Sequence, residues 1–235
     1  MKIKRMMMVA LAALMFPAFG WAQEEEKDVY VELETDVVSS YIWNGQDLGG
    51  MSLQPSLTVG WKDLWFNVWG SAGIATDNHR EIDLSLGYDW GNFSFAVTDY
   101  WFLGDGLSEN FFNYSAHSTL HSLEASIGYD FGFLSLQWAT YFGGYDYNDE
   151  GKREYTSCIQ ANVPFTLGGF EGKATVGATP WKSAVYDANR FMVYETSVEM
   201  RKEVKLSSTL SFDTYGRLIV NPATEAVFFV FGLGF

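Results

Sequence analysis

Cysteine is nearly missing from this chain: Cys158 is the only one. No internal disulfide can form, so the chain is not a stapled mini-protein. Basic residues are scarce too, 15 against 29 acidic ones. Three of the 15 (Lys2, Lys4 and Arg5) sit at the extreme N-terminus, and 15 − 3 = 12 remain beyond it, a net charge near −17. That balance argues against nucleic acid as a partner. Long apolar runs are also missing. Past residue 22 none approaches 18 residues, so no transmembrane helix is predicted.

The first residues have the layout of an export signal. Met1 to Arg5 is basic, Met6 to Phe16 is apolar, Pro17 interrupts, and Gly20-Trp21-Ala22 offers small residues for cleavage. A cleaved secretory signal over 1–22 is expected, with one domain over 23–235. No Cys follows the cut, so a lipoprotein is not expected. Gln23 to Lys27 reads as a short charged lead-in.

What the chain has in abundance is aromatic residues, 17%, and 23 glycines. The pairing points to many short strands, tight turns and belts of rings. Glu225 to Phe235 shows the pattern most plainly. Val227, Phe229, Phe231, Leu233 and Phe235 share one parity, and Phe228, Val230, Gly232 and Gly234 share the other. Period two means a strand, and its length suits a tilted crossing of a hydrocarbon layer, roughly 9–11 residues. An open apolar edge aggregates, and in lipid it leaves backbone groups unpaired, so the strand must close against another. Ending on Phe235, it resembles the terminal strand of bacterial outer-membrane β-barrels, and that resemblance implies recognition by barrel-assembly machinery. A soluble sandwich could carry this one strand, and the rest of the chain argues against it.

From Val29 a first strand alternates Val31, Leu33, Thr35 and Val37 with Glu32, Glu34 and Asp36; it is expected to end at Ser39 to Trp43, before a Gly-rich loop, Asn44 to Gly50. Met51 to Trp61 alternates cleanly, Lys62-Asp63 turns, and Leu64 to Ala75 returns. After a loop at Asp77 to Arg80, Ile82, Leu84 and Leu86 oppose Glu81, Asp83, Ser85 and Asp89. Gly91-Asn92 is a hairpin signal, followed by Phe93, Phe95 and Val97. Asp99 falls on the apolar parity of this strand and is expected at the rim or a bulge. A long loop, about Leu103 to Ser118, precedes Leu123 to Tyr129 and Leu134 to Trp138. Further strands are predicted at Tyr155–Val163, Phe170–Ala178, Phe191–Met200 and Leu206–Val220, with Arg201 to Lys205 as a turn. The count is about twelve, with short turns alternating with longer loops: an all-β, antiparallel up-and-down transmembrane β-barrel. Aromatics gather at both strand ends in two girdles. Trp61, Tyr88, Trp90, Phe93, Tyr129, Phe170 and Phe235 lie by the short turns; Tyr41, Trp43, Trp101, Tyr141, Phe142, Tyr155 and Phe191 lie by the long loops.

Ser39-Ser-Tyr-Ile-Trp-Asn-Gly45, then Leu53-Gln-Pro55, Trp69-Gly-Ser71 and Glu81-Ile-Asp-Leu-Ser-Leu-Gly-Tyr88, resemble the TorF-like outer-membrane porins. The match is firmest over residues 36–101 and thinner toward the C-terminus. In that family the first segment reads Ser-x-Tyr-aromatic-Arg-Gly, and here Asn44 stands where the Arg would be. The resemblance implies the outer membrane of a Gram-negative bacterium and a pore.

Several constellations invite chemistry. His117-Ser118 and His121-Ser122 are adjacent pairs, which on a strand face opposite ways, so a hydrolase is not expected; His79, His117 and His121 read as rim histidines binding water. Asp146-Tyr-Asn148-Asp149-Glu150-Gly151 opens like a calcium loop, but position 12 is Ser157 and no helices flank it, so no metal site is expected. Cys158 reads as an inert, buried thiol. The sharper signal is inward acid. By parity Glu32, Glu34, Asp36, Glu81, Asp83, Asp89, Glu124, Glu171, Glu195, Glu199 and Asp213 line the interior, with Lys173 and Arg217 as basic counterparts. The reading is a narrow, cation-preferring passive channel for small polar solutes, with neither cofactor nor enzyme activity. Its expected surroundings are outer-membrane lipid and lipopolysaccharide, and its rival is a non-conducting scaffold barrel for a surface complex.

Overall fold

The computed structural model describes residues 28–74, 79–103, 110–207 and 210–235. The expected export signal, the charged lead-in and Asp77 lie outside the described residues. Twelve strands form one closed antiparallel barrel, each pairing with its neighbours along the chain. They are β1 (Val29–Val38), β4 (Ser52–Trp61), β5 (Leu64–Gly73), β6 (Arg80–Trp90), β7 (Phe93–Leu103) and β8 (His121–Asp130). The remainder are β9 (Ser135–Gly144), β10 (Ser157–Leu167), β11 (Phe170–Thr179), β12 (Met192–Lys205), β13 (Ser211–Asn221) and β14 (Ala226–Gly234). Two short strands outside the wall, β2 (Tyr41–Trp43) and β3 (Gln46–Gly49), form a separate hairpin.

The alternation sets the two faces. Outward residues such as Leu57, Val59, Leu86, Val97, Leu218 and Phe229 are exposed apolar side chains, as a wall facing hydrocarbon requires. Turns at one end are tight. Gly168 and Gly169 both have positive φ (60° and 80°) between the paired Leu167 and Phe170, the geometry that suits the twist of a two-residue hairpin.

The barrel closes between β1 and β14 over three ladder pairs, Asp36 with Gly234, Val37 with Leu233 and Val38 with Gly232. Thr35 and Phe235 exchange two further backbone bonds of 3.0 and 2.9 Å, and the Ser39 N–H donates to the Phe231 carbonyl at 2.9 Å. The β1–β4 ladder has ten pairs, so the closing seam is the short one.

Four sequence expectations are corrected. The first wall strand stops at Val38 rather than running to Trp43. Arg201 to Lys205 is not a turn, because β12 continues for 14 residues and ends at Lys205. The following strand starts at Ser211, not Leu206. Tyr41, Trp43 and Tyr141 do not belong to an outer girdle: the first two sit on or beside the inner hairpin, and Tyr141 points inward beside Tyr100. The girdle by the short turns does stand outward, with Trp61, Tyr88, Trp90, Phe93, Phe170 and Phe235 exposed.

Candidate functional site

The β2–β3 hairpin folds into the barrel. Asn44 and Gly45 both have positive φ (48° and 69°) between the paired Trp43 and Gln46, so the Asn-Gly step makes a two-residue turn. Gly45 has a second reason to lack a side chain: a Cβ there would lie 2.1 Å from the Tyr194 carbonyl oxygen. The turn is tied to several parts of the wall. The Asn44 amide donates to the Tyr186 hydroxyl at 2.8 Å, the Gln160 amide donates to Asn44 Oδ1 at 2.6 Å, and the Asn221 amide donates to the Gly45 carbonyl at 3.0 Å. Ile42 packs on an apolar patch of Val38, Ile219 and Val230. Tyr41 leans the other way, its ring 5.7 Å from Trp69 and 5.6 Å from His79. Trp43 lies between Tyr100 at 6.1 Å and Tyr186 at 6.2 Å. Residues of β5, β7, β10 and β13 thus meet one short hairpin, which crosses the lumen at the end bearing the long connections.

The 180–191 connection supports it. Tyr186 stacks on Tyr194 with centroids 4.4 Å apart and planes 5° apart, and Ser183 and Ala188 pair in an isolated bridge. Cys158 is buried in the same cluster with Ala139, Tyr186 and Tyr194. Tyr194 reaches it because the β11–β12 register shifts at Gly177/Ala178, turning both Tyr194 and Glu195 inward where one would face out.

Below the hairpin the lumen has two unlike walls. On β6 to β8 the register sets Asp83 opposite Tyr100 and Thr98 opposite Glu124, and Glu81 precedes Asp83 on the same face. Glu81 and Glu124 are buried. Tyr100 donates its hydroxyl proton to Glu124 Oε1 at 3.0 Å, and the Tyr41 hydroxyl hydrogen-bonds Glu81. Glu81 Oε2 and Asp83 Oδ1 are buried with no hydrogen-bond partner among the described residues. No Lys or Arg stands on an inward position of β4 to β9 among those residues. A buried carboxylate without a partner is costly as an ion, so this wall presents uncompensated acceptors to whatever occupies the lumen.

The opposite wall, β12 to β1, is mixed. Arg201 Nη1 lies 3.3 Å from Asp213 Oδ2, its Nε lies 3.6 Å from Glu199 Oε1, and its guanidinium covers the Tyr215 ring at 4.5 Å. Arg217 pairs with Glu195, which also accepts from Ser197 Oγ at 2.7 Å. Tyr215 donates to Asp36 Oδ2 at 3.2 Å. Lys173 is register partner to Glu199. Glu32 and Glu34 continue the inward face of β1 opposite Thr58 and Ser56. Asp89 and Glu171 are exposed at the short-turn mouth. Arg201 is the inward residue that reading the sequence missed, since it was assigned to a turn.

Outside the barrel, Asp99 is neither at a bulge nor bare. It sits in a regular ladder between Leu84 and Leu123, with Oδ1 2.8 Å from His121 Nδ1 and Oδ2 accepting from the Tyr114 hydroxyl at 2.7 Å. Partial burial, with the bond to Asp99 adding to it, pushes the Tyr114 phenol up to about 12, so it remains a donor. His121 Nε2 faces the Phe111 carbonyl at 2.5 Å. His79 is buried with Nε2 3.0 Å from Ser71 Oγ, and the His117 ring lies 4.0 Å from that of Tyr147. His79 and His121 are therefore buried and held by protein groups rather than exposed as water-binding rim residues, whereas His117 is exposed beside Tyr147. In the 145–156 connection, Asn148 Oδ1 accepts from the Glu150 and Lys152 backbone N–H groups, at 3.0 Å each. That uses the oxygen a calcium loop would offer.

No family model matches the chain, and no match was found among curated proteins.

Proposed function

We propose that this barrel is an outer-membrane channel of a Gram-negative bacterium, narrow and cation-preferring, which passes small polar solutes around its inward-folded hairpin. The observation that carries the reading is the convergence of Glu81, Asp83 and Glu124 beside Tyr41 of the hairpin, on a wall with no inward Lys or Arg among the described residues. An eight-stranded barrel is filled by side chains and one of 16–18 strands leaves an open channel. Twelve strands plus a hairpin in the lumen suit a constriction. Fixed charge in a narrow, low-dielectric passage is focused and concentrates its counter-ion. Membership of the TorF-like porins, proposed on the segments from Ser39 to Tyr88, agrees with this. So does insertion by barrel-assembly machinery through the strand ending in Phe235. Lipid and lipopolysaccharide are then the barrel's surroundings.

A second reading has its own support. The hairpin is bonded to Gln160, Tyr186 and Asn221 at once, which favours a sealed barrel serving as scaffold for a surface complex. The reversal potential in a salt gradient separates the two. The channel reading expects a cation preference that is strong in dilute salt and fades near 1 M, where the screening length is about 3 Å. It expects Glu81→Gln, Asp83→Asn and Glu124→Gln together to move the potential toward zero, and changes at the loop acids Asp149 and Glu150 to do much less. An anion preference in the parent protein contradicts it.

A further inference from the structure

A cavity of about 180 Å³ lies under the hairpin on the mixed wall, with Tyr41 at the side toward the Glu81 cluster. Its charged lining is balanced, with Asp36 and Glu199 against Arg201 and Arg217, and Ile42, Val38 and Val230 supply an apolar side. Both guanidiniums are held by partners: Arg201 engages Asp213, Glu199 and the Tyr215 ring, and Arg217 engages Glu195 and Ser197 Oγ. A guanidinium has five N–H donors, so these contacts leave donors over on both. Asp36 is fixed by the Tyr215 hydroxyl at 3.2 Å. That ring fits because its β14 neighbour is Gly232, where a Cβ would fall 2.1 Å from Tyr215 Cζ.

We propose that this cavity binds a small zwitterion, a free α-amino acid with a short apolar side chain. The size suits a small ligand: a cavity of roughly 150 Å³ holds benzene, and drug-sized ligands need about 300 Å³ or more. The charge pattern favours a ligand of both signs over a simple ion. A lone cation meets two guanidiniums, and a lone anion meets Asp36 and Glu199. A molecule carrying both signs at one end satisfies both pairs, its carboxylate on Arg201 and Arg217 and its ammonium on Asp36 and Glu199. The apolar side chain then lies on Ile42, Val38 and Val230. Each charge would be bound by groups already held in place, which lowers the ordering cost of binding.

The inference rests on the lumen being reachable by solutes, as the proposed channel requires, but it is tested without any current. L-leucine is titrated by calorimetry into the refolded full-length barrel in detergent at low salt, beside isopentylamine and 4-methylpentanoate, each of which lacks one charge. Saturable binding of one leucine per barrel is expected, with each half-ligand weaker by roughly tenfold or more, the loss of one charge-assisted partner. Arg201→Gln should abolish the preference for leucine over isopentylamine while heat-modifiable mobility on gels is kept. A change in that ratio cannot come from unfolding. No saturable leucine binding, a half-ligand binding as tightly as leucine, or a preference that survives Arg201→Gln would each overturn the proposal. A conducting barrel that binds no leucine defeats the site and leaves the channel standing; leucine binding by a silent barrel does the reverse.

Discussion

Substituting arginine at Leu57 and at its neighbour Ser56 tests the facing of the whole barrel with two side chains. Leu57 is 41% exposed on the outward face near the middle of β4, with Leu33 and Val68 as its cross-strand neighbours. An arginine there meets only hydrocarbon and apolar groups, at a cost of about 2–4 kcal/mol at the bilayer midplane. That is a loss of roughly 30- to 700-fold in the folding constant. Ser56 points inward between Glu34 and Trp69 and accepts from the Asn67 amide at 2.8 Å. Arginine at this position loses that bond, worth about 0.5–1.5 kcal/mol, but gains Glu34 as an opposite charge across the ladder, about 0.2–1 kcal/mol. The net change should stay within about 1 kcal/mol. Leu84→Arg belongs between the two, because Asp99 is its register partner on the outer face. The assay is equilibrium unfolding in guanidinium from lipid vesicles, followed by tryptophan fluorescence. If Ser56→Arg costs as much as Leu57→Arg, the inside and outside of this barrel have been assigned wrongly.

Two further outcomes follow from the seam and the hairpin. Deleting Phe235 removes both of its backbone bonds with Thr35 from a seam of only three ladder pairs. The yield of heat-modifiable, membrane-inserted protein should fall while export is unchanged, as fractionation and gel mobility would show; insertion equal to the parent would refute the closing role. Gly45→Val puts a Cβ 2.1 Å from the Tyr194 carbonyl at a φ of 69°, a backbone region that β-branched residues avoid. The hairpin should leave its seat, and protease should cut between Ser40 and Gly50 much faster than in the parent; unchanged protection would show that the turn does not need its glycine.

The strands were legible from the sequence because period two records a physical boundary, apolar outside and polar inside. Leu57, Leu86 and Phe229 stand where alternation puts them, and the inward parity of Glu81, Asp83 and Glu124 agrees with the register. The hairpin was not legible. An aromatic residue near a strand end looks the same whether it sits at an interface or folds into a lumen. What decides for Asn44 is Tyr186, 142 positions away. Asn44-Gly45 was a turn signal in plain view, but a turn does not say which way its strands lean. Arg201 was missed for a different reason. At this end β12 carries charge on both faces, Lys202 and Lys205 among Glu199, Arg201 and Glu203, so the alternation that marks a strand disappears. Asp99 did show as an exception to its face, but its partners Tyr114, on the long connection, and His121, at the start of the next strand, could not be read locally.

The most direct test of the central claim, a narrow conducting lumen obstructed by its own hairpin, is single-channel recording in a planar bilayer. The parent protein is compared with a variant in which residues 40–50 are replaced by a short Gly-Ser linker. Small, steady, cation-selective steps are predicted for the parent, and clearly larger steps of the same sign of selectivity for the variant. Silence from both proteins, or equal steps from both, would contradict the account.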